Sequence, residues 1–516
     1  MTTLPVIDLF AGPGGLGEGF SALRGSHDEA CFRIRLSIEK DEYAHSTLEL
    51  RSFFRQFPSH GVPPEYYRHL RQEITREELF RRYPAEAGRA GTEAWLAELG
   101  AVPEEQAKDR VREALRGRDP WVLIGGPPCQ AYSIVGRSRR RGVHGYVADR
   151  DARQTLYKEY LSIIANHWPA VFVMENVKGL LSAKHNGTGM FERMCTDLQS
   201  PADAVGQGTH GRTNGRRYKY TIHALAYHGK LWSLNPEDYV VEAEQHGVPQ
   251  SRHRIILFGV RDDLGCGTPQ SLPFSAPVPL SRALEGLPRL RSGLSGREDS
   301  SANWLAAVSA ARERRWLAGA RRIAGDDVYQ AIVGTLRQLN APRRGRGGNF
   351  VPAEVSSEFA PEWILDQRLG GVCNHETREH MDTDLHRYLF VACFGQVHGR
   401  SPRLGDFPPD LMPAHENAER AAALGSGLFA DRFRVQLRST PATTITSHIH
   451  KDGHYYIHYD PSQCRSLTVR EAARAQTFPD NYLFCGSRTQ QFLQVGNAVP
   501  PLLAREIARI TWRVLA

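Results

Sequence analysis

No stretch of this chain approaches the roughly 20 consecutive apolar residues that a membrane-spanning helix needs. The opening residues Met1-Thr2-Thr3-Leu4-Pro5 carry no basic segment of the kind that starts a secretory leader. Cysteine is scarce: eight in 516 residues, at positions 31, 129, 195, 266, 373, 393, 464 and 485, with no CxxC pair and no regular spacing. That pattern suits reduced thiols better than a disulfide framework. Internal repeats and long low-complexity tracts are also missing. The expectation is a soluble, cytoplasmic protein without a membrane partner. What is present in excess is positive charge, 65 Lys and Arg against 57 Asp and Glu for a formal net of +8, which favours a polyanionic partner. The length exceeds one ordinary core, so two domains are expected.

Short, β-branched apolar runs punctuate the first half at Val6 to Phe10, Ile34 to Ile38, Val122 to Ile124, Val171 to Met174 and Ile255 to Val260. Such runs read as strands buried on both faces, and helical patterns such as Tyr157 to His167 lie between them. The first half is therefore expected to be an α/β domain with a doubly wound, parallel sheet. Residues from about 50 to 118 are charge-rich and helix-periodic, including Trp95-Leu96-Ala97-Glu98-Leu99, and read as a helical insertion. From about 262 the texture turns to Pro, Gly and Ser, as in a linker. The domains implied are 1–265, 266–464 without a βαβ rhythm, and 465–516. Pro342 to Gly348 reads as a mobile basic loop.

Chemistry concentrates at the strand ends. Gly125-Gly126-Pro127-Pro128-Cys129-Gln130 follows the run Trp121 to Ile124, and Glu175-Asn176-Val177 ends the run Ala170 to Met174. In open α/β sheets ligands bind at the carboxyl edge, where both segments emerge. A rigid turn there can hold a thiol whose acidity is raised by a helix terminus or a cation. A carboxyl group in a half-buried site can carry a proton near neutral pH. Together they suit addition to, and protonation of, an electron-poor ring. For Cys129 alone the bland alternative is a buried structural thiol, and for Glu175 a helix-capping acid. Asp8-Leu9-Phe10-Ala11-Gly12-Pro13-Gly14-Gly15 follows the first run, and glycines there let backbone approach a nucleotide-like ligand. Phe10 offers an aromatic face, and Glu39 ends the second run where an acid takes ribose hydroxyls. In Gln250-Ser251-Arg252-His253-Arg254, alternation places Arg252 and Arg254 on one face of an apolar strand, which is costly without a carboxylate or ligand carbonyl.

The ordered series FAGPGG, GGPPCQAYS, MENVKGLL, QSRHRIILFGV, RSLTVREAARAQTFPD and QVGNAVPP resembles the motif set of the DNA (cytosine-5)-methyltransferases, over residues 4–262 and 465–516. The resemblance implies a Rossmann-like S-adenosyl-L-methionine-dependent domain with a mixed, mostly parallel sheet, plus a smaller irregular target-recognition domain. It further implies that Cys129 attacks C6 of a flipped cytosine, Glu175 holds N3, Arg254 contacts the base carbonyl and Arg252 supports that pocket. For the cofactor it assigns Phe10, Gly12, Gly14, Glu39, Pro128, Leu156 and Asn497. The family's adenine-contacting acid is hard to place; Asp109 is one option. The last helix should return to the first domain and close the pocket beside Phe10. Residues 133–150 match the loop that closes over the flipped base, with Arg137, Arg139, Arg140 and Arg141, together with Arg153, as phosphate contacts. The recognition region is expected to read double-stranded DNA, with Thr443 and Thr444 of Arg438 to Thr446 close to it.

Two histidine-rich stretches, Cys373 with His375, His380 and His386, and His448 with His450, His454 and His458, lack zinc-site spacing, so no metal is expected. The second functional reading is a tRNA cytosine-5 methyltransferase, because one branch of the family carries the same motifs; the long recognition region speaks against it. A catalytically dead DNA-binding member is opposed by Cys129, Glu175 and Arg254, and a nicotinamide oxidoreductase leaves the Pro-Pro-Cys-Gln turn unexplained. Without a fused nuclease motif, the expected setting is a monomeric, nucleoid-associated enzyme of a bacterial restriction-modification or phage-defence system.

Overall fold

The structure, a computed structural model, describes residues 3–127, 156–185, 188–206, 217–226, 235–412 and 433–516. The chain forms two compact units, Met1–Val62 with Glu77–Ala276 and Ala498–Ala516, and Pro63–Arg76 with Pro277–Asn497. In the first unit the described residues build an eight-stranded sheet. Its elements are β1 (Leu4–Leu9), α1 (Gly15–Ser21), β2 (Phe32–Glu39), α2 (Glu42–Arg55), α3 (Pro84–Glu93), β3 (Ala94–Leu96), α4 (Glu104–Leu115), β4 (Val122–Gly125), α5 (Leu156–His167), β5 (Val171–Val177), β6 (Tyr220–His223), β7 (Val240–Glu242) and β8 (His253–Arg261).

Strand order is β3-β2-β1-β4-β5-β8-β6, with β7 also paired to β8. The first five strands are parallel, and β8 runs antiparallel to β5, β6 and β7. Alternation sends Ile7, Leu123, Phe172 and Leu257 into one apolar layer and Val6, Ile124, Val173 and Phe258 into the other. Burial on both faces is why these strands read as near-continuous apolar runs.

The stretch 94–99 departs from its helical reading. Ala94 to Leu96 pair in parallel with Ser37 to Glu39 as the edge strand of the main sheet. Ala97, Leu99, Ala107, Val111 and Leu115 belong to one sheet-face layer. A strand of three residues is too short to show a period of two, and apolar neighbours then mimic a helical stripe.

The second unit contains α6 (Ser301–Ser309), α7 (Arg315–Ala324), α8 (Asp326–Arg337), the hairpin β9 (Gly347–Pro352) and β10 (Gly371–Glu376), α9 (Asp382–His398), α10 (Val469–Ala475) and α11 (Arg488–Asn497). Along α9 burial is nearly continuous from Asp384 to Gly395, as in a helix surrounded by its domain. Trp304, Trp316, Tyr388, Phe390 and Phe433 fill the same core. Residues 342–348 form a tight turn rather than a mobile loop: Gly345 N donates to Pro342 O at 3.0 Å, and Arg346 pairs with Glu379 at 2.8 Å.

The division at Asn497 differs from the boundary expected at 465. Thr468 and Glu471 cap α10 reciprocally, and Arg465 grips Glu471 through two bonds of 2.6 and 2.7 Å. Arg470 donates to the carbonyls of Cys373, Pro479 and Tyr482, and Arg474 pairs with Asp480 at 2.7 Å. These buried bonds hold residues 465–497 within the second unit. Only the following segment, carrying α12 (Pro501–Leu515), returns to the first. There a Cβ on Gly15 would stand 2.2 Å from the carbonyl oxygen of Val499, just ahead of α12, and one on Gly19 would stand 2.5 Å from the Ala504 Cβ within it. Among the described residues no helix is long and apolar enough to cross a membrane.

Candidate active site

The carboxyl ends of β1, β2, β4 and β5 bring four segments together. Leu9 pairs with Ile38 on one side and with Gly125 on the other, and Gly125 pairs with Met174. Beyond Leu9 the chain turns sharply, with positive φ at Phe10 (56°), Gly12 (57°) and Gly14 (95°). Glu39 anchors this turn. Its Oε2 accepts from Gly12 N at 2.7 Å, and its Oε1 accepts from Lys40 N at 2.9 Å and Asp41 N at 2.8 Å. Burial raises the Glu39 carboxyl above its ordinary value, against the three backbone N–H donors.

Beneath the turn lies Asp8, fully buried, whose carboxyl oxygens have no hydrogen-bond partner among the described residues. Burial pushes this carboxyl up to about 8, opposed mainly by the Arg55 charge. Arg55 belongs to a buried network: Arg51 bonds Glu18 through Nε at 2.9 Å, and Arg55 spans Glu18 (3.7 Å) and Glu93 (2.7 Å). These pairs join α1, which carries the glycine turn, to α2 and the end of α3.

The acid at the next strand end is held from two sides. Arg254 Nε donates to Glu175 Oε1 at 2.9 Å, both side chains being largely buried. The antiparallel register sets this pair, with Ile256 opposite Glu175 and Arg254 opposite Val177. On the other side, a Cβ on Gly126 would meet Glu175 Oε2 at 2.9 Å. A side chain at position 126 would therefore displace the Glu175 carboxyl. Cys129 and Pro128 lie outside the described residues, as do Arg137, Arg139, Arg140, Arg141 and Arg153; Pro127 is the last described residue of that turn.

Arg252 is 2% exposed and precedes β8, its carbonyl accepting from Ala243 N at 3.1 Å. Between the arginines His253 bonds Glu244 at 2.7 Å through Nε2 and faces Glu242 at 3.9 Å through Nδ1. The three groups are close enough for a cation, yet the two ring nitrogens address different carboxylates, the arrangement of a hydrogen-bonded histidine. Leu156 opens α5, and a Cβ on Gly100 would touch its side chain at 3.5 Å.

Asp109 sits on the exposed side of α4, paired with Arg112. Sequence reasoning passed over Glu98, which follows β3 at the same carboxyl edge as Glu39 and pairs with Lys40 at 2.8 Å. Its signal was obscured by the helical reading of 94–99.

In the second unit Asn497 is the exposed last residue of α11. Thr443 is half-buried, and its N–H and hydroxyl both meet the side chain of Gln436. Thr444 O accepts from Tyr456 OH at 3.0 Å. The histidines there serve structure: His375 bonds Thr468 and the Pro288 carbonyl, His380 bonds Ser292, His386 bonds the Ala307 carbonyl, and His454 bonds Tyr388.

The description C-5 cytosine-specific DNA methylase matches residues 97–201 and 401–511. Over 528 aligned residues the chain is 31% identical to the Type II methyltransferase M.Bpa9945I of Bacillus paralicheniformis, covering 98% of this chain and 97% of that one. This chain belongs to the C-5 cytosine-specific DNA methylase family. The methyltransferase is also 25% identical to the Type II methyltransferase M.AgeI of Thalassovita gelatinovora, with 98% of each chain covered. It is 26% identical to the DNA (cytosine-5-)-methyltransferase M.ApeKI of Aeropyrum pernix, over 78% of this chain and 83% of that one. A crystal structure described as a DNA modification methyltransferase encoded within a prophage (E. coli) superposes with a TM-score of 0.51 at 18% identity, covering 99% of each chain. That likeness concerns the fold, a Rossmann-like methyltransferase sheet. The enzyme class is DNA (cytosine-5-)-methyltransferase, and a methyl donor and DNA follow from it.

Proposed function

We propose that this methyltransferase methylates C5 of a flipped cytosine within a short double-stranded DNA sequence, through a transient covalent bond to Cys129. The observation that carries this reading is the Glu175–Arg254 pair packed against Gly126, three residues before Cys129. The Cys129 thiolate adds to C6, and the ring electrons move toward N3, which takes a proton from Glu175. Arg254 occupies Oε1 of Glu175, which leaves Oε2 as the oxygen facing N3, and Arg252 supports the pocket beside it. C5 becomes the nucleophile. S-adenosyl-L-methionine supplies the methyl group that C5 receives. A water molecule takes the C5 proton, the C6–S bond breaks to return the thiolate, and N3 gives its proton back to the Glu175 carboxylate.

The residues at the β1 and β2 ends fit that donor: Phe10 offers a face for an adenine ring and Glu39 a carboxylate for ribose hydroxyls. Gly12, Gly14, Pro128, Leu156 and Asn497 complete the assigned cofactor set, with Glu98 in place of Asp109 as the acid for the adenine amino group. Arg137, Arg139, Arg140, Arg141 and Arg153 pair with phosphates, and Thr443 and Thr444 approach the DNA from the second unit. The names of the Type II relatives support a host-marking role in a restriction-modification or phage-defence system.

Base-resolution conversion sequencing of DNA from a methylation-free bacterial host expressing the chain tests the reading. Methylcytosine at one recurring short sequence is expected, and none with Cys129→Ala. Unmethylated DNA from folded, cofactor-binding protein would exclude the proposal.

A further inference from the structure

The first residue of β8, His253, stands where the sheet is weakest. β5 reaches only as far as Val177, opposite Arg254, so His253 lies beyond its end. On the other side His253 pairs with Glu242 of β7, a strand of three residues whose one sheet neighbour among the described residues is β8. Short pairings at strand ends open easily. Yet the His253 carbonyl accepts from Arg254 Nη1 at 2.8 Å, while Nε of the same guanidinium donates to Glu175. The guanidinium therefore spans the acid and the His253 carbonyl, and a shift of His253 turns it away from Glu175. Successive side chains of a strand point to opposite faces, so the His253 ring leaves the face of Arg254 and meets the chain that follows β7. There Glu244, in the turn Ala243–Gln245, accepts from His253 Nε2 at 2.7 Å. A carboxylate only accepts, so Nε2 carries the hydrogen. The second oxygen of Glu244 is buried without a hydrogen-bond partner among the described residues, so this carboxylate is held through His253. Glu242 is a weaker neighbour: its Oε1 is 3.9 Å from Nδ1, and its Oε2 is taken by Gln245 Nε2 at 2.5 Å. The turn is itself tied to the approach of β8, since Ala243 N donates to Arg252 O at 3.1 Å.

We infer that His253 and Glu244 are positioning residues for methyl transfer: their bond pins the start of β8 and, through the His253 carbonyl, holds the Arg254 guanidinium against Glu175. The inference rests on the roles proposed above for Glu175 and Arg254 in activating the cytosine. The His253 ring and Glu244 lie on the opposite face of the strand from that pair, so they act through Arg254 and not on the base. A loosened guanidinium misplaces the acid at the moment of proton transfer, which slows the chemical step while leaving binding to other residues.

The test uses the full-length enzyme and a duplex carrying the sequence found by conversion sequencing. The single-turnover methylation rate, the KM for DNA and the affinity for S-adenosyl-L-methionine are measured separately, below the melting range of every variant. His253→Phe keeps a ring and loses the donor; it should slow the turnover about tenfold, the size of one lost hydrogen bond to a charged group, with KM and cofactor affinity little changed. Glu244→Ala should match it. His253→Gln, whose amide nitrogen reaches the place of Nε2, should keep the wild-type rate. Adding His253→Phe to Arg254→Lys should cost nothing beyond Arg254→Lys alone, since both act through one guanidinium. A wild-type rate in His253→Phe would overturn the inference, as would additive losses with Arg254→Lys. His253→Phe strands the Glu244 carboxylate and should melt lower, so His253→Gln decides between positioning and mere stability: a rate as low as that of His253→Phe overturns the inference. A wild-type rate in Arg254→Lys, or unmethylated DNA from the wild-type enzyme, would instead remove the reading of the site, and the inference with it.

Discussion

Glu175 shows how much of the chemistry depends on one side chain being fixed from both sides. Arg254 uses Nε, the donor that lysine lacks, to take one oxygen at 2.9 Å, and the missing side chain at Gly126 makes room for the other. On the proposed mechanism Glu175→Gln removes the proton donor, and Arg254→Lys loses the Nε that bonds Glu175. Each should lower kcat roughly 10²–10⁴-fold, the range of general acid–base catalysis, with the affinity for S-adenosyl-L-methionine unchanged. Single-turnover methylation with equilibrium cofactor binding checks this; a loss of cofactor affinity matching the loss of rate would show a merely structural pair. Glu175 was legible because it ends an apolar run. Its partner was legible only as an arginine in need of a carboxylate, since nothing in local pattern says which acid lies opposite.

The helix α1 carries the glycine turn, and its position is set by two neighbours. Arg51 and Arg55 of α2 hold Glu18 on one side, a buried network in which loss of either partner leaves an uncompensated charge. On the other side Gly15 and Gly19 admit α12 and the residues just ahead of it, where added Cβ atoms would meet Val499 O at 2.2 Å and the Ala504 Cβ at 2.5 Å. Gly15→Ala must therefore push the elements apart, at a cost of about 1–3 kcal/mol. A lower melting temperature and weaker cofactor binding are expected; an unchanged thermal transition would show that α12 yields freely. The glycines were legible as a turn motif, but their contact with the end of the chain was not. The strand β3 was misread because three residues cannot display a period.

Across the second unit, neutrality of buried imidazoles carries a pH dependence. Burial lowers His375 and His458 to about 4 and His380 to about 3, with nearby arginines acting in the same direction. In the unfolded chain these groups take up protons near 6.5. Their folded values are depressed, so their contribution is intact above about 6.5, and stability falls as pH drops from there toward 4 because the unfolded state binds protons first. Glu471, held well below the usual carboxylate range by Arg465 despite its burial, loses its contribution only at still lower pH. Thermal unfolding followed between pH 7.5 and 4.5 should show this decline, and His380→Gln should flatten it. A transition temperature independent of pH over that window would contradict the assignment.

The chain's linear order already carried the strand ends, the glycine turn, the two arginines around His253 and the family motifs. Each is a local matter: burial on both faces writes an apolar run, and a reaction needs particular atoms at its edge. The allotment of residues 63–76 and 465–497 to the second unit was not written there, nor was the entry of residues 94–96 into the main sheet. The meeting of Arg254 with Glu175, and of Gln436 with Thr443, likewise appeared only on folding. Periodicity records that a face is covered and not what covers it, so bonds between distant segments are settled by packing, register and the need to pair every buried polar group.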